Sequence, residues 1–188
     1  MAKDWPEKAL EFYKSFLNKN PKSNEVRLEY AKTLTSLKHY VEAKKEFLKL
    51  VDGSLASPEI SLTVALLSLE LNDNLLAEKF FNQSLERGYS QQDKIQIYLA
   101  RIYNKRGDYK KALSTLDKIV SGELFVDAKL LATEIIAQNE STDKAIESLS
   151  IYKNIGPSDK LRFLQAKTSL LINNGRQQDA FDLMRSED

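Results

Sequence analysis

The chain has 188 residues, of which 42% are hydrophobic and 29% charged, the balance of a folded globular protein and not of a disordered tail. With 28 Lys/Arg against 27 Asp/Glu, net charge +1, it has no global field to draw it to DNA or to anionic lipid. The absence of cysteine excludes disulfides, thiolate catalysis and thiolate metal sites.

Six glycines and four prolines are too few for a chain built of tight β-turns. The abundance of Leu, Ala, Lys and Glu favours helix, where straight side chains lose little rotamer freedom. No apolar run approaches the roughly 20 residues a membrane-spanning helix needs. The N-terminal MAKDWPEKAL lacks the apolar core of a signal peptide. Either redox compartment suits such a chain, so location is left open, and any export signal would lie outside this sequence. Charge is uneven along it: residues 1–50 carry 11 Lys/Arg against 7 Asp/Glu, and residues 51–100 carry 3 against 7.

Taken in chain order, the apolar pattern predicts one helix at about 7–19, then helix pairs at about 24–52, 58–87, 92–121, 125–154 and 159–186, eleven helices in all. A landmark alanine marks the second helix of each unit: Ala9, Ala43, Ala77, Ala112, Ala145 and Ala180, spaced 34, 34, 35, 33 and 35 residues apart. A second small residue keeps step with it, because Ala31, Ala65 and Ala100 precede Ala43, Ala77 and Ala112 by one constant interval. In the last two units this position is read as drifting, to Ala132 and Ala166 or a neighbouring Thr. Each unit is therefore a first helix A, a turn and a second helix B, whose small residues let the two backbones approach. Ser54 to Pro58 lengthens the link out of the second unit. Helices this short must bury their apolar faces on neighbours.

Residues 97–120, IYLARIYNKRGDYKKALSTLDKIV, resemble a tetratricopeptide repeat through Leu99, Ala100, Tyr103, Gly107, Tyr109, Ala112 and Leu116. Residues 28–50 are similar through Ala31, Leu34, Tyr40, Ala43 and Phe47, and the motif's closing proline matches Pro21 and Pro157. The resemblance covers essentially the whole chain. It is weaker in the last two units and departs in the Ser54–Pro58 extension and in that no A helix carries the family's tryptophan; the single Trp5 is expected to precede the first helix.

The resemblance implies an all-α, right-handed solenoid of antiparallel helix pairs. It would be a single repeat domain over 1–188, with a lone B helix at 7–19 and repeats at about 24–57, 58–91, 92–124, 125–158 and 159–188. A chain that opens on a B helix and ends after Met184 without a polar cap is expected to be a segment of a longer protein. The Lys-, Asn- and Ile-rich composition has a bacterial look.

No phosphate loop, paired-histidine metal helix or nucleophile elbow is present, so no catalysis, cofactor or metal is expected. The lone His39 reads as a turn residue. The basic cluster Arg101, Lys105, Arg106, Lys110 and Lys111 is split by a turn and lacks the continuous track nucleic acid requires. The recurring aromatics read as packing between helices.

In the resembled family one side of each A helix lines a concave groove that contacts peptides. Carried over by position, that lining is Leu28, Lys32 and Thr35; Leu62, Leu66 and Leu69; Ile97, Arg101, Asn104 and Lys105; and Leu130 and Glu134. Leu62, Leu66 and Leu69 form an i, i+4, i+7 stripe whose simpler reading is packing on the preceding repeat. The expected function is a non-catalytic scaffold that binds an apolar, acid-flanked protein segment in this groove. The alternatives are a self-assembling or structural module of a longer array, with open ends that allow homo-oligomers, and the regulatory arm of an enzyme.

Overall fold

Ten short turns and links join helices whose lengths follow from where the apolar period breaks. The computed structural model describes residues 5–153 and 155–186. Its helices are α1 (Trp5–Lys19), α2 (Asn24–Ser36), α3 (Tyr40–Leu48), α4 (Pro58–Glu70), α5 (Asn74–Glu86), α6 (Gln92–Lys105), α7 (Tyr109–Leu116), α8 (Phe125–Asn139), α9 (Thr142–Ser150), α10 (Pro157–Asn173) and α11 (Gln177–Ser186). Trp5 therefore lies in the first turn of α1 and not ahead of it. There is no strand among the described residues. The fold is the all-α, tetratricopeptide-like pairing of antiparallel helices that the sequence predicts. None of these helices is long and apolar enough to cross a membrane.

The chain divides into two compact units, Met1–Gln92 and Asp93–Asp188. In the first, α1 packs on α2, α2 on α3, α3 on α4 and α4 on α5. In the second, α7 packs on α8, α8 on α9, α9 on α10 and α10 on both α8 and α11.

Each A–B pair carries one small buried residue on either helix. Ala31 and Ala43, Ala65 and Ala77, and Ala100 and Ala112 are fully buried, as is Ala145. In the last two pairs the structure selects the neighbouring Thr over the alanine. Ala132 and Ala166 are only half-buried, and the slot is filled by the buried Thr133 and Thr168, in the same register ahead of Ala145 and Ala180. Threonine fits a backbone contact because its hydroxyl is satisfied inside its own helix: Thr133 Oγ1 donates to the Lys129 carbonyl (2.9 Å) and Thr168 Oγ1 to that of Leu164 (3.0 Å). The A-to-B interval is thus identical in all five pairs. The scatter of the repeat period falls wholly in the links between pairs.

The A–B turns share a mechanism. Lys38, Asn72, Gly107 and Gly175 take left-handed backbone angles, φ between 58° and 83°, which stops helix A. The next residue caps helix B in two of these turns: Asp73 accepts from the Leu76 amide and Asp108 from the Lys111 amide, both at 3.2 Å. His39 occupies that cap position without capping through its side chain. In the α8–α9 turn Ser141 caps by accepting from the Lys144 amide, without a preceding left-handed residue.

The position of the family's tryptophan is a buried polar residue in four successive A helices: Arg27, Ser61, Gln96 and Lys129. Arg27 pairs with Glu46 of α3 and donates to the Pro21 carbonyl of the link before α2. Ser61 accepts from Arg87, which itself binds the link before α4. The Lys129 ammonium lies 3.6 Å from Asp117, in the link before α8, and within 6 Å of the Phe125 and Tyr152 ring centroids. Burying these groups is tolerable only because each finds such partners; the exception is the Gln96 side-chain carbonyl, which has none. Beside the Arg27 pair, the Tyr30 hydroxyl has its pKa raised by partial burial and then by the carboxylates of Glu46 and Glu42.

The threonine register gives an ordering. Thr133→Leu should destabilise the chain by about 1–3 kcal/mol through overpacking, and Ala132→Leu by less, measured as midpoints of urea unfolding. The reverse order would place the small-residue contact at Ala132.

Candidate functional site

The A helices of the first unit frame an apolar cavity of about 520 Å³. Helix α2 contributes Leu28, Lys32, Thr35 and Ser36, which share one face by their i, i+4, i+7 and i+8 spacing. Helix α4 contributes Glu59, Ile60 and Thr63 from its first two turns, and Phe47 reaches in from α3. The remaining wall is Leu55 and Ser57, in the link between α3 and α4.

That link is fixed from two sides. Arg87, just past the end of α5, donates from Nη1 to the Val51 carbonyl (2.6 Å) and to Ser61 Oγ (3.1 Å), and from Nη2 to Asp52 (3.2 Å). On the other side the Asn24 side-chain amide reaches Ser54 Oγ at 3.4 Å. Leu50 and Val51 are buried, so the link begins in the core. Ser57 ends it by accepting from the Ile60 amide at 3.3 Å, capping α4 with Pro58 in its first turn. Leu55 is therefore held as a wall of the cavity by contacts on both flanks.

The rim carries one charge of each sign. Lys32 is exposed and pairs with Glu29 one turn away (2.7 Å), an exposed pair worth little and easily exchanged for another carboxylate. Glu59 sits opposite in the lining. Two convergent polar groups over an apolar floor suit a bulky side chain presented by a polar backbone.

The residues predicted from sequence are placed as follows. Leu28, Lys32 and Thr35 come together in this cavity. Leu62, Leu66 and Leu69 are half-buried on α4 and lie outside its lining. Helix α4 is buried on most of its circumference, by Ile60, Ser61, Val64, Ala65, Leu67 and Ser68, which leaves the stripe little free surface. In the second unit Ile97 is half-buried and Arg101 and Lys105 are exposed on α6. Asn104 joins α6 to α8 through side-chain amide bonds with Gln138 and Asn139, both at 3.3 Å. Leu130 packs against the core cluster of Val126, Leu149 and Phe163, and Glu134 is exposed. Lys111 of the basic cluster lies 4.0 Å over the Tyr103 ring.

Sequence reasoning missed Ser36, Phe47, Leu55, Ser57, Glu59, Ile60 and Thr63. For Leu55 one signal was available: it is the one large apolar residue in the otherwise small and polar run Gly53–Pro58. The metal-capable side chains do not gather, for no three of His, Asp or Glu form a cluster among the described residues.

No protein-family model matches the chain, and no curated protein matches it either. Its fold is shared with solved structures. The crystal structure of MamA superposes with a TM-score of 0.65 at 17% identity, covering 85% of this chain and 89% of that one. A tetratricopeptide repeat protein from Parabacteroides merdae gives 0.65 at 16% identity, over 94% of this chain and 70% of that one. YrrB, described as a TPR protein with an unusual peptide-binding site, gives 0.61 at 14% identity, over 92% and 89%. These likenesses establish the fold, which is that of tetratricopeptide repeat proteins.

Because one guanidinium holds the cavity wall, Arg87→Ala should destabilise the first unit by about 1–3 kcal/mol, from buried acceptors left unpaired. It should also speed amide hydrogen exchange between residues 50 and 57 more than within α2. Unchanged exchange in that link would show that Arg87 does not hold it.

Proposed function

We propose that this tetratricopeptide-fold chain is a non-catalytic scaffold that holds a segment of another protein, seating a bulky apolar side chain in the α2–α4 cavity. The observation that carries this reading is the cavity itself: an apolar space of about 520 Å³ on the A-helix face, walled by Leu28, Thr35, Phe47, Leu55 and Ile60. An apolar concavity of a few hundred Å³ with a small number of polar groups is the usual form of a ligand site. Lys32 favours an acidic residue beside the anchor, since its present partner Glu29 is exposed and replaceable. The peptide-binding site ascribed to YrrB supports the reading by likeness of fold alone. In the first unit Leu62 and Leu66 stay in the proposal as further contacts, with Leu69 as packing support; in the second, Ile97, Arg101 and Lys105 are proposed as partner contacts of that unit by itself, with Asn104 and Leu130 as packing support.

A photo-crosslinking amino acid placed at Thr63, in the cavity, should capture a defined protein segment bearing a large apolar side chain. The same group at the exposed Glu86 of α5 should not. Leu28→Asp should remove the Thr63 crosslink about tenfold or more while leaving the circular dichroism spectrum intact. Equal capture at both positions, or capture indifferent to Leu28→Asp, sinks the cavity reading.

One observation favours the second reading, a module that stacks on copies of itself. The landmark Ala9 is only half-buried where its five counterparts are buried, and the same helix leaves Trp5 77% and Phe12 63% exposed. Light scattering should then show mass rising with concentration and Phe12→Glu suppressing the rise; a constant monomer mass excludes self-stacking.

A further inference from the structure

Helix α2 packs between α1 and α3, and α10 between α9 and α11, and these two junctions differ in charge. In the first, Arg27 of α2 and Lys49 both pair with Glu46 of α3. Counted from the landmark alanines Ala43 and Ala180, the last repeat has Leu164 where Arg27 stands, Lys167 where Tyr30 stands and Leu183 where Glu46 stands. The last junction has therefore exchanged one cation for another, Lys167 for Arg27, and lost the carboxylate that neutralises the first.

The consequence is a cavity of about 400 Å³ with an apolar floor and a basic rim. Leu149 and Phe163 are buried at its base, and Leu164 and Leu183 complete it. Lys153, Lys160 and Lys167 line it, with no carboxylate in the lining among the described residues. None of the three ammonium groups makes a hydrogen bond or ion pair within the described residues. Asp159 lines the adjoining cavity and pairs with none of them.

Three like charges around an apolar space repel one another, and an incoming carboxylate relieves that repulsion where the low-dielectric floor screens it least. Lysine suits this task as a flexible point charge that can follow carboxylates at several positions. The floor offers the complementary requirement, a bulky aliphatic or aromatic group.

We propose that the α9–α10–α11 junction binds an acidic protein segment, seating one Leu or Phe on Leu149, Phe163 and Leu183 with Glu or Asp flanks facing Lys153, Lys160 and Lys167. This site shares no residue with the α2–α4 cavity, so either can fail without the other.

The probe is a fluorescein-labelled hexapeptide, Glu-Glu-Leu-Phe-Glu-Glu, titrated against the full chain by fluorescence anisotropy at low and high salt. Binding is expected to weaken at high salt. It should fall about tenfold or more for the Gln-for-Glu peptide and for the triple variant K153Q/K160Q/K167Q, with circular dichroism confirming the fold. Should the triple variant unfold, Lys160→Gln alone, at an exposed site, should still weaken binding measurably. Leu28→Asp should leave it unchanged, and loss through that variant would assign the peptide to the other cavity. No binding by the wild type, or equal binding of the Gln peptide, overturns the proposal. Capture of phosphatidylserine-containing vesicles without peptide binding overturns it in favour of a membrane surface.

Discussion

Everything in this structure depends on two backbones coming close together at one point in each helix pair. A side chain larger than threonine at either contact would push helix A off helix B. The buried faces that carry Leu34 on α2 and Phe47 on α3 would then no longer meet in register. Because short helices have little stability of their own, losing that approach would remove the reason for the pair to fold. The small residue is thus a constraint on geometry more than a source of energy, and the large apolar residues around it supply the burial.

A second constraint sits at the start of each A helix. A tryptophan there would fill the junction between repeats with its own bulk. Arg27, Ser61 and Lys129 fill it instead with polar groups that reach the preceding link, directly or through Arg87. The junctions are therefore held by specific partners in place of generic apolar contact, and each can differ from the next. That freedom is what lets one junction be neutralised by Glu46 and another be lined by lysines.

Most of the fold was legible because one period repeats the same apolar code six times, and six weak signals in step make a strong one. At the last two pairs the sequence left Ala132 and Ala166 or a neighbouring Thr open, because the position tolerates any small residue whose polar atom is satisfied locally. Leu28, Lys32 and Thr35 were reached through the family resemblance, carried over by position. The cavity beneath them was not, since part of its wall is Phe47 of the next helix and Leu55, whose position depends on Arg87 and the course of a link. The α4 stripe was legible as apolar, but its meaning changes once Val64, Leu67 and Ser68 bury the other sides of that helix. The polar slot was hidden for a different reason. Arg27, Ser61, Gln96 and Lys129 share no chemical type, and only their common burial identifies them as one position.

The fixed interval within pairs, set against links that vary in length, also says where this gene can be cut and rejoined. A duplication or deletion with both breakpoints in links carries whole hairpins, and every surviving contact keeps its phase. A breakpoint within a hairpin separates two small residues that have meaning only together. The hairpin is thus the indivisible letter of this chain, and arrays of different length can be spelled from it by recombination without any new core being invented.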